Sequence, residues 1–258
     1  MANAVSRRAA PRLPDQVTLV HGPHDILGRY ILIADKAARD RGVFLSLETD
    51  FHEFLRVNEE NHAHWHPLPP NIDPRFNELG PENSFWIRGR NAAGESVLTG
   101  AVRLYRFTET SLKEELESLR LFYRYPMAQQ CPGERCVVTA PSAQRLVGQV
   151  LYSGGVWFRP DFRGLGLASI VPRLARTIAL SRWNTDYAFS LVGRKLVEKG
   201  VSRSYGFRNI EFSVDWYDSI YGAHFPLALV WIDRDDFIFD LETTLVLQPP
   251  SQPQRRTA

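Results

Sequence analysis

The stretch GGVWFRPDFRGLGLAS, residues 154–169, has the composition of an anion cradle. A strand-like apolar run ends at Pro160, an arginine follows at 163, and glycines at 164 and 166 lead into residues with helical spacing. Such a turn leaves backbone N–H groups unpaired and removes the side chains that would cover them, so it can hold a phosphate at the start of a helix. A second cluster, His62, His64 and His66 in ENHAHWHPLPP, places three imidazoles at alternate positions. In an extended segment they share one face, where they could bind a metal or serve as a base at an acceptor site. No Asp/Glu pattern accompanies them, and a surface loop beside a proline-rich turn is the simpler account. Cys131 and Cys136, the only cysteines, form a lone C-x4-C pair, which reads as two loop thiols and no zinc site.

Strand-like and helix-like segments alternate around these residues. QVTLV (16–20) reads as a short β-branched strand, and 24–42 as a helix stopped by Gly42. NSFWIRGRN and SVLTGAVRLYRF, separated by AAGE, predict a hairpin. Residues 108–123 predict a helix capped by Thr110 or Ser111, with the charged face of SLKEELESLR in solvent. Residues 147–158 predict a long strand with a bulge at Gly154-Gly155, followed by the glycine turn and a helix of about twenty residues. DYAFSLVG, IEFSVDWYD and LALVWIDRDDFIF read as strands, with RKLVEKGVSRSYG a short helix between the first two. The pattern implies a mixed sheet with helices packed on it, of α/β or α+β class.

The known phosphate cradles separate on sequence. A Walker loop needs Gly-Lys-Ser or Gly-Lys-Thr, which is missing, and Ser169 stands where a dinucleotide fingerprint needs its third glycine. Instead, VWFRPDFRGLGLAS resembles the acyl-coenzyme-A-binding motif of the GCN5-related N-acetyltransferase superfamily, with Pro160, Arg163, Gly164, Gly166 and Ala168 at the motif positions. SYGFRNIEF (204–212) looks like that family's Gly-Phe turn, here Gly206-Phe207, and the two motifs together cover about residues 147–215. The resemblance implies a mostly antiparallel mixed sheet splayed at a bulged central strand, with helices on both faces. It implies that Arg163, Gly164, Leu165, Gly166, Leu167 and Ala168 hold pyrophosphate, and that Val156 and Phe158 pair with pantetheine. It further implies acetyl-CoA, or another acyl-CoA, as co-substrate without a metal, and an amine of a small molecule or peptide as acceptor.

Several positions depart from the pattern. Asp161 replaces the usual Gln or Arg before the cradle. Pro172 falls inside the expected helix, where an interior proline costs about 3 kcal/mol unless a kink is built in. The family's acid tyrosine, four residues before the Gly-Phe glycine, is Ser202 here, which leaves the offset Tyr205 as the candidate acid. The motif strand offers no carboxylate as base. Two rivals therefore stand beside an acetyltransferase: a longer-chain synthase of the same fold, making acylated amino acids or homoserine lactones through a deep apolar tunnel, and an acyl-CoA sensor without catalysis.

Length and composition frame the rest. The 258 residues suit one domain over 15–247, between loose tails at 1–14 and 248–258, with 108–146 either a lid over the acceptor site or a packed excursion. A net charge of +2 gives little drive toward nucleic acid or membrane. With no secretory signal and no apolar run long enough to span a bilayer, the sequence reads as cytoplasmic. Tyr217 and Tyr221 are candidates for the acceptor pocket, and a homodimer stays open.

Overall fold

A computed structural model describes residues 12–247. Of the two expected tails, residues 1–11 and 248–258 lie outside the described residues. Arg12 to Pro14 do not behave as a tail: Leu13 is fully buried, and Arg12 donates to Asp35, itself fully buried on the first long helix.

That helix, α1 (His24–Arg39), buries Leu27, Tyr30, Ile31, Ala34 and Ala38 along one stripe, the spacing that 3.6 residues per turn requires. It ends before Gly42, whose φ of +73° suits glycine. Strand β1 (Phe44–Glu48) and helix α2 (Phe51–Glu60) follow, the latter capped by Asp50, whose Oδ1 accepts from His52 N at 2.9 Å. The predicted hairpin forms as β2 (Ser84–Arg90) and β3 (Ser96–Phe107). Helix α3 (Leu112–Glu117) carries the expected capping box between Ser111 and Glu114 but is shorter than predicted; Leu119, at φ +62°, turns the chain out of helical geometry. A short α4 (Pro126–Gln129) and β4 (Arg135–Val138) lead to the long strand β5 (Gly148–Phe158).

After the glycine turn come α5 (Val171–Trp183), β6 (Tyr187–Gly193), α6 (Arg194–Glu198), α7 (Val201–Ser204), β7 (Asn209–Ser219), β8 (Gly222–Asp233) and α8 (Arg234–Leu247). Two expectations are corrected here. QVTLV is no strand: it lies against the end of α5, where Val20 N donates to Ser181 Oγ and His21 N to Ser181 O, both at 2.9 Å. The last predicted strand divides at Asp233, whose carboxylate accepts from Asp236 N at 2.8 Å and thereby starts α8. The helix after the turn has 13 residues instead of about twenty, because Pro172 sits in its first turn, where no N–H is needed and no kink arises.

Among the described residues the strands form one eight-stranded sheet in the order β1-β2-β3-β5-β6-β8-β7-β4, antiparallel except for the β5/β6 pair. Helices α1, α5 and α8 cover one face with a core containing Leu27, Val171, Leu174 and Leu241. Helix α2 and the segments around 65–79 and 112–123 cover the other, with Phe54, Trp86, Phe122 and Trp216 at its centre. This is the sheet that the resemblance implies, mostly antiparallel, splayed at a bulged central strand and flanked by helices. The 108–146 segment adds β4 to the sheet edge through β7 and buries Leu116, Leu121, Phe122 and Tyr123.

Helix α2 is fastened to the sheet by Glu53, which takes hydrogen bonds from Arg56 and from Arg88 on β2, the latter at 2.5 Å. The Arg56 contact, aided by Arg88 and opposed by burial, pulls the Glu53 carboxyl down to about 2 from an ordinary 4.5. A folded-state value below the unfolded one makes this stabilisation complete above about pH 4.5 and lost as pH falls toward about 2. The melting temperature of Glu53→Gln should therefore lie below wild type at pH 7, and the two should converge as the pH is lowered toward 2 in thermal unfolding series. Parallel curves would contradict this role.

Candidate functional site

The bulge in β5 prepares the site. Opposite β3, Thr99 pairs with Trp157 and Ala101 with Gly154, so Gly155 and Val156 together face Gly100 alone. Gly155 adopts φ +58°, and a Cβ there would stand 2.8 Å from Phe54 Cζ and 2.9 Å from Ile72 Cδ1. Glycine is thus required twice, by backbone angle and by space. Thr99 Oγ1 pins the distortion by donating to Gly155 O at 2.8 Å.

On its other side β5 pairs with β6 only at Val150↔Tyr187, Leu151↔Ala188 and Tyr152↔Phe189. Past Tyr152 the two strands separate, and Ser190 to Gly193 pair with β8 alone. The gap opens into a cavity of about 330 Å³, walled by Gly154 to Val156, Ser190 to Gly193, Tyr152, Phe122, Trp216 and Tyr221.

The glycine turn lies at the end of β5. Gly164 and Gly166 have φ of +76° and +74°, and a Cβ at Gly164 would meet nothing within 4 Å. Among the described residues, no group accepts from the N–H of Gly164, Leu165 or Gly166. Leu167 is buried in the core and anchors the turn, Leu165 is exposed, and Ala168 is half-buried. Two guanidiniums flank the turn: Arg163 donates to Phe158 O at 3.1 Å, and Arg41 to Leu165 O at 2.6 Å. Neither forms an ion pair with a carboxylate among the described residues, whereas Asp161 is neutralised by Arg159 at 2.7 Å. The turn therefore presents free N–H groups and cationic charge without a competing anion.

Of the residues expected at a pantetheine track, Val156 lines the cavity, while Phe158 packs on the core with its carbonyl already engaged by Arg163. Tyr205 also lines the cavity, and burial pushes its hydroxyl up to about 12. Ser202 is fully buried with its hydroxyl unpartnered and does not line the cavity. Behind Tyr205, Arg176 donates to its carbonyl and lies 4.4 Å from the Phe207 ring centroid, and Arg173 joins Ser204 O to Ser169 O, tying the Gly-Phe turn to the cradle. Gly206, at φ +81°, leaves room for Arg173.

The histidine segment crosses the mouth of the gap. Arg163 reaches His64 O at 3.5 Å, Asn58 Nδ2 holds His66 O at 2.9 Å, and Tyr221 OH donates to Pro67 O at 3.0 Å. Trp65 stacks on Trp157 of the bulged strand at 5.3 Å and 11°. Of the three imidazoles only His66 lines the cavity; His62 turns back to Glu59 O, and no group of three metal-ligating side chains occurs among the described residues. Of the two tyrosines expected at an acceptor pocket, Tyr221 lines the cavity and Tyr217 stacks on His224 outside it. Arg41, Asn71 and Phe122 are site residues that the sequence reading did not single out. A lone arginine before a helix-ending glycine, an asparagine in a proline-rich turn and one apolar residue of an insertion carry no local signal.

No protein-family model and no curated protein matches the sequence. Solved structures do. Arabidopsis thaliana NAA60 in complex with a bisubstrate analogue is 10% identical, over 74% of this chain and 97% of that one, with a TM-score of 0.44. The GNAT domain of S. lividans PAT is 13% identical over 74% and 90%, with a TM-score of 0.42. The putative acetyltransferase yncA from Salmonella typhimurium, with its cofactor acetyl-CoA, is 12% identical over 83% and 99%, with a TM-score of 0.40. Among the described residues no helix is long and apolar enough to cross a membrane.

Proposed function

We propose that the chain is an acyl-CoA-dependent N-acyltransferase of the GCN5-related type. The observation that carries this is the pairing of two features on one strand: a glycine turn with free N–H groups at its end, and a gap beside its bulge that leads into a largely apolar, partly open cavity. The turn and the guanidiniums of Arg41 and Arg163 suit a pyrophosphate, and the unpaired edge of β5 suits the amides of a pantetheine arm. The residues present thus fit an acyl-CoA, which would supply the activated acyl thioester when bound.

In this reading His66 takes the proton. Among the described lining residues it is the one imidazole, and the cavity tyrosines are held protonated by burial. The amine first gives one proton to water and enters neutral; its nitrogen then forms its bond to the acyl carbon, the carbon–sulfur bond breaks, and the nitrogen's second proton passes to His66, which returns it to solvent. With its hydroxyl pushed up to about 12, above an ordinary thiol near 8.5, Tyr205 hydrogen-bonds the departing sulfur and keeps its own proton. The thiolate takes its proton from solvent, so amide and free thiol are the products.

Two experiments follow. Incubation of the protein with acyl-CoAs and a panel of amines should release free thiol together with an amide product of matching mass; thioester left intact across the panel would favour the sensor. Arg41→Ala should lower coenzyme A affinity about tenfold, the scale of one charge-assisted hydrogen bond, and flatten the dependence of binding on salt. Unchanged affinity would place Arg41 outside the phosphate site.

A further inference from the structure

The cavity beyond the bulge is large and uncharged for a site that would hold only an acetyl group. Its volume of about 330 Å³ is roughly twice that of a cavity known to admit benzene, which gives room for about twelve carbon atoms. None of its described lining residues is Asp, Glu, Lys or Arg, and its lining includes Phe122, Tyr152, Trp216, Phe225 and Leu227. These aromatic side chains are not loosely placed. Phe122 stacks on Trp216 at 4.1 Å and 10°, Tyr152 meets Phe189 edge-on at 5.5 Å, and Tyr221 leans on Phe225 at 5.1 Å.

We propose that this interior holds an apolar acyl chain of about eight to twelve carbons, carried in as the thioester, so that the transferred group is a medium-chain acyl and not acetyl. The inference rests on the acyl-CoA reading above and narrows it. Three observations place the chain, and not the amine, in the interior. The cavity is continuous with the β5/β6 gap, since Gly154 to Val156 and Ser190 to Gly193 line both, so a chain on a thioester at the bulge runs inward without a break. An amine arrives from water as a cation, and the interior offers it no carboxylate to offset desolvation. The base sits where an amine would come from, for His66 is exposed at the mouth.

Several polar side chains interrupt the apolar lining, among them Ser153, Ser190, the tyrosine hydroxyls and Asn71, and the position of Asn71 agrees with a chain. Asn71 is 1% exposed, and its amide lies against the buried hydroxyls of Tyr105 and Tyr152. Its chain neighbour Ile72 packs against the bulge glycine, 2.9 Å from where a Cβ on Gly155 would stand. Asn71 therefore lies beside Tyr152 near the bulge, where the carbonyl of the acyl group would need a donor.

Calorimetric titration of the full chain with acetyl-, butyryl-, octanoyl-, decanoyl- and dodecanoyl-CoA tests this. Affinity should rise with chain length and favour octanoyl- over acetyl-CoA by at least about 30-fold, well within what six buried methylenes can supply. Leu191→Trp, which fills the cavity from β6, should cut that ratio at least about tenfold. Leu191→Phe serves as the milder filling, and thermal unfolding checks that each variant folds. Equal affinity for acetyl- and octanoyl-CoA would overturn the chain while leaving the acyl-CoA reading in place. A rate that rises with the length of an alkylamine but not of the acyl group would assign the cavity to the acceptor and overturn it as well. No binding of any acyl-CoA would remove the reading on which the inference stands.

Discussion

Gly164→Glu should abolish coenzyme A binding while leaving the fold intact. The side chain enters space where nothing lies within 4 Å, so no protein atom has to move, although φ of +76° costs a non-glycine residue about 1–2 kcal/mol. Its carboxylate would occupy the place expected for pyrophosphate and pair with Arg41 and Arg163, cancelling the charge that recruits the ligand. Ligand at about a hundred times its Kd stabilises a protein by about 2.7 kcal/mol. For a chain of this size that raises the melting temperature by about 5–10 °C. Wild type should show this shift with coenzyme A and the variant none. A variant that still shifts would mean that the turn does not carry the phosphates.

His66→Gln should lower kcat by about 10²- to 10⁴-fold, the usual contribution of a positioned base, with little change in acyl-CoA affinity. Glutamine preserves much of the volume at the cavity mouth and Asn58 bonds only the backbone of residue 66, so the strap across the gap should keep its place. Activity should return in part as rising pH supplies more neutral amine and hydroxide. His62→Gln, a change outside the cavity, is the matched control. Equal losses in both variants would indicate a structural role for the segment. Full activity in His66→Gln would assign the proton to another group.

The parts of the site that depend on backbone chemistry were legible in the sequence. Gly154-Gly155 in an apolar run announces a bulge, and Gly164 and Gly166 after Pro160 announce a turn with positive φ, because only glycine takes those angles cheaply. Pro172 was visible too, yet its meaning depended on where the helix began, and a first-turn proline reads the same as an interior one until that boundary is known. What the sequence hid is tertiary. Arg41 joins the cradle across 124 positions, His66 is set apart from His62 and His64 by tertiary ties that differ for each of the three, and Phe122 reaches the cavity by stacking on Trp216 of β7. The cavity itself arises from strands that part after three residue pairs, a property of packing and not of any local pattern.

The most direct test of the central claim is calorimetric titration of coenzyme A, free of any acyl group, into the wild-type protein at low salt. One site per chain, weakened by added salt in proportion to the phosphate charge, is the predicted result, because cradle and gap alone should hold the nucleotide and pantetheine. Absence of heat at millimolar ligand, with the protein folded by thermal unfolding, would contradict it and leave the glycine turn without its anion.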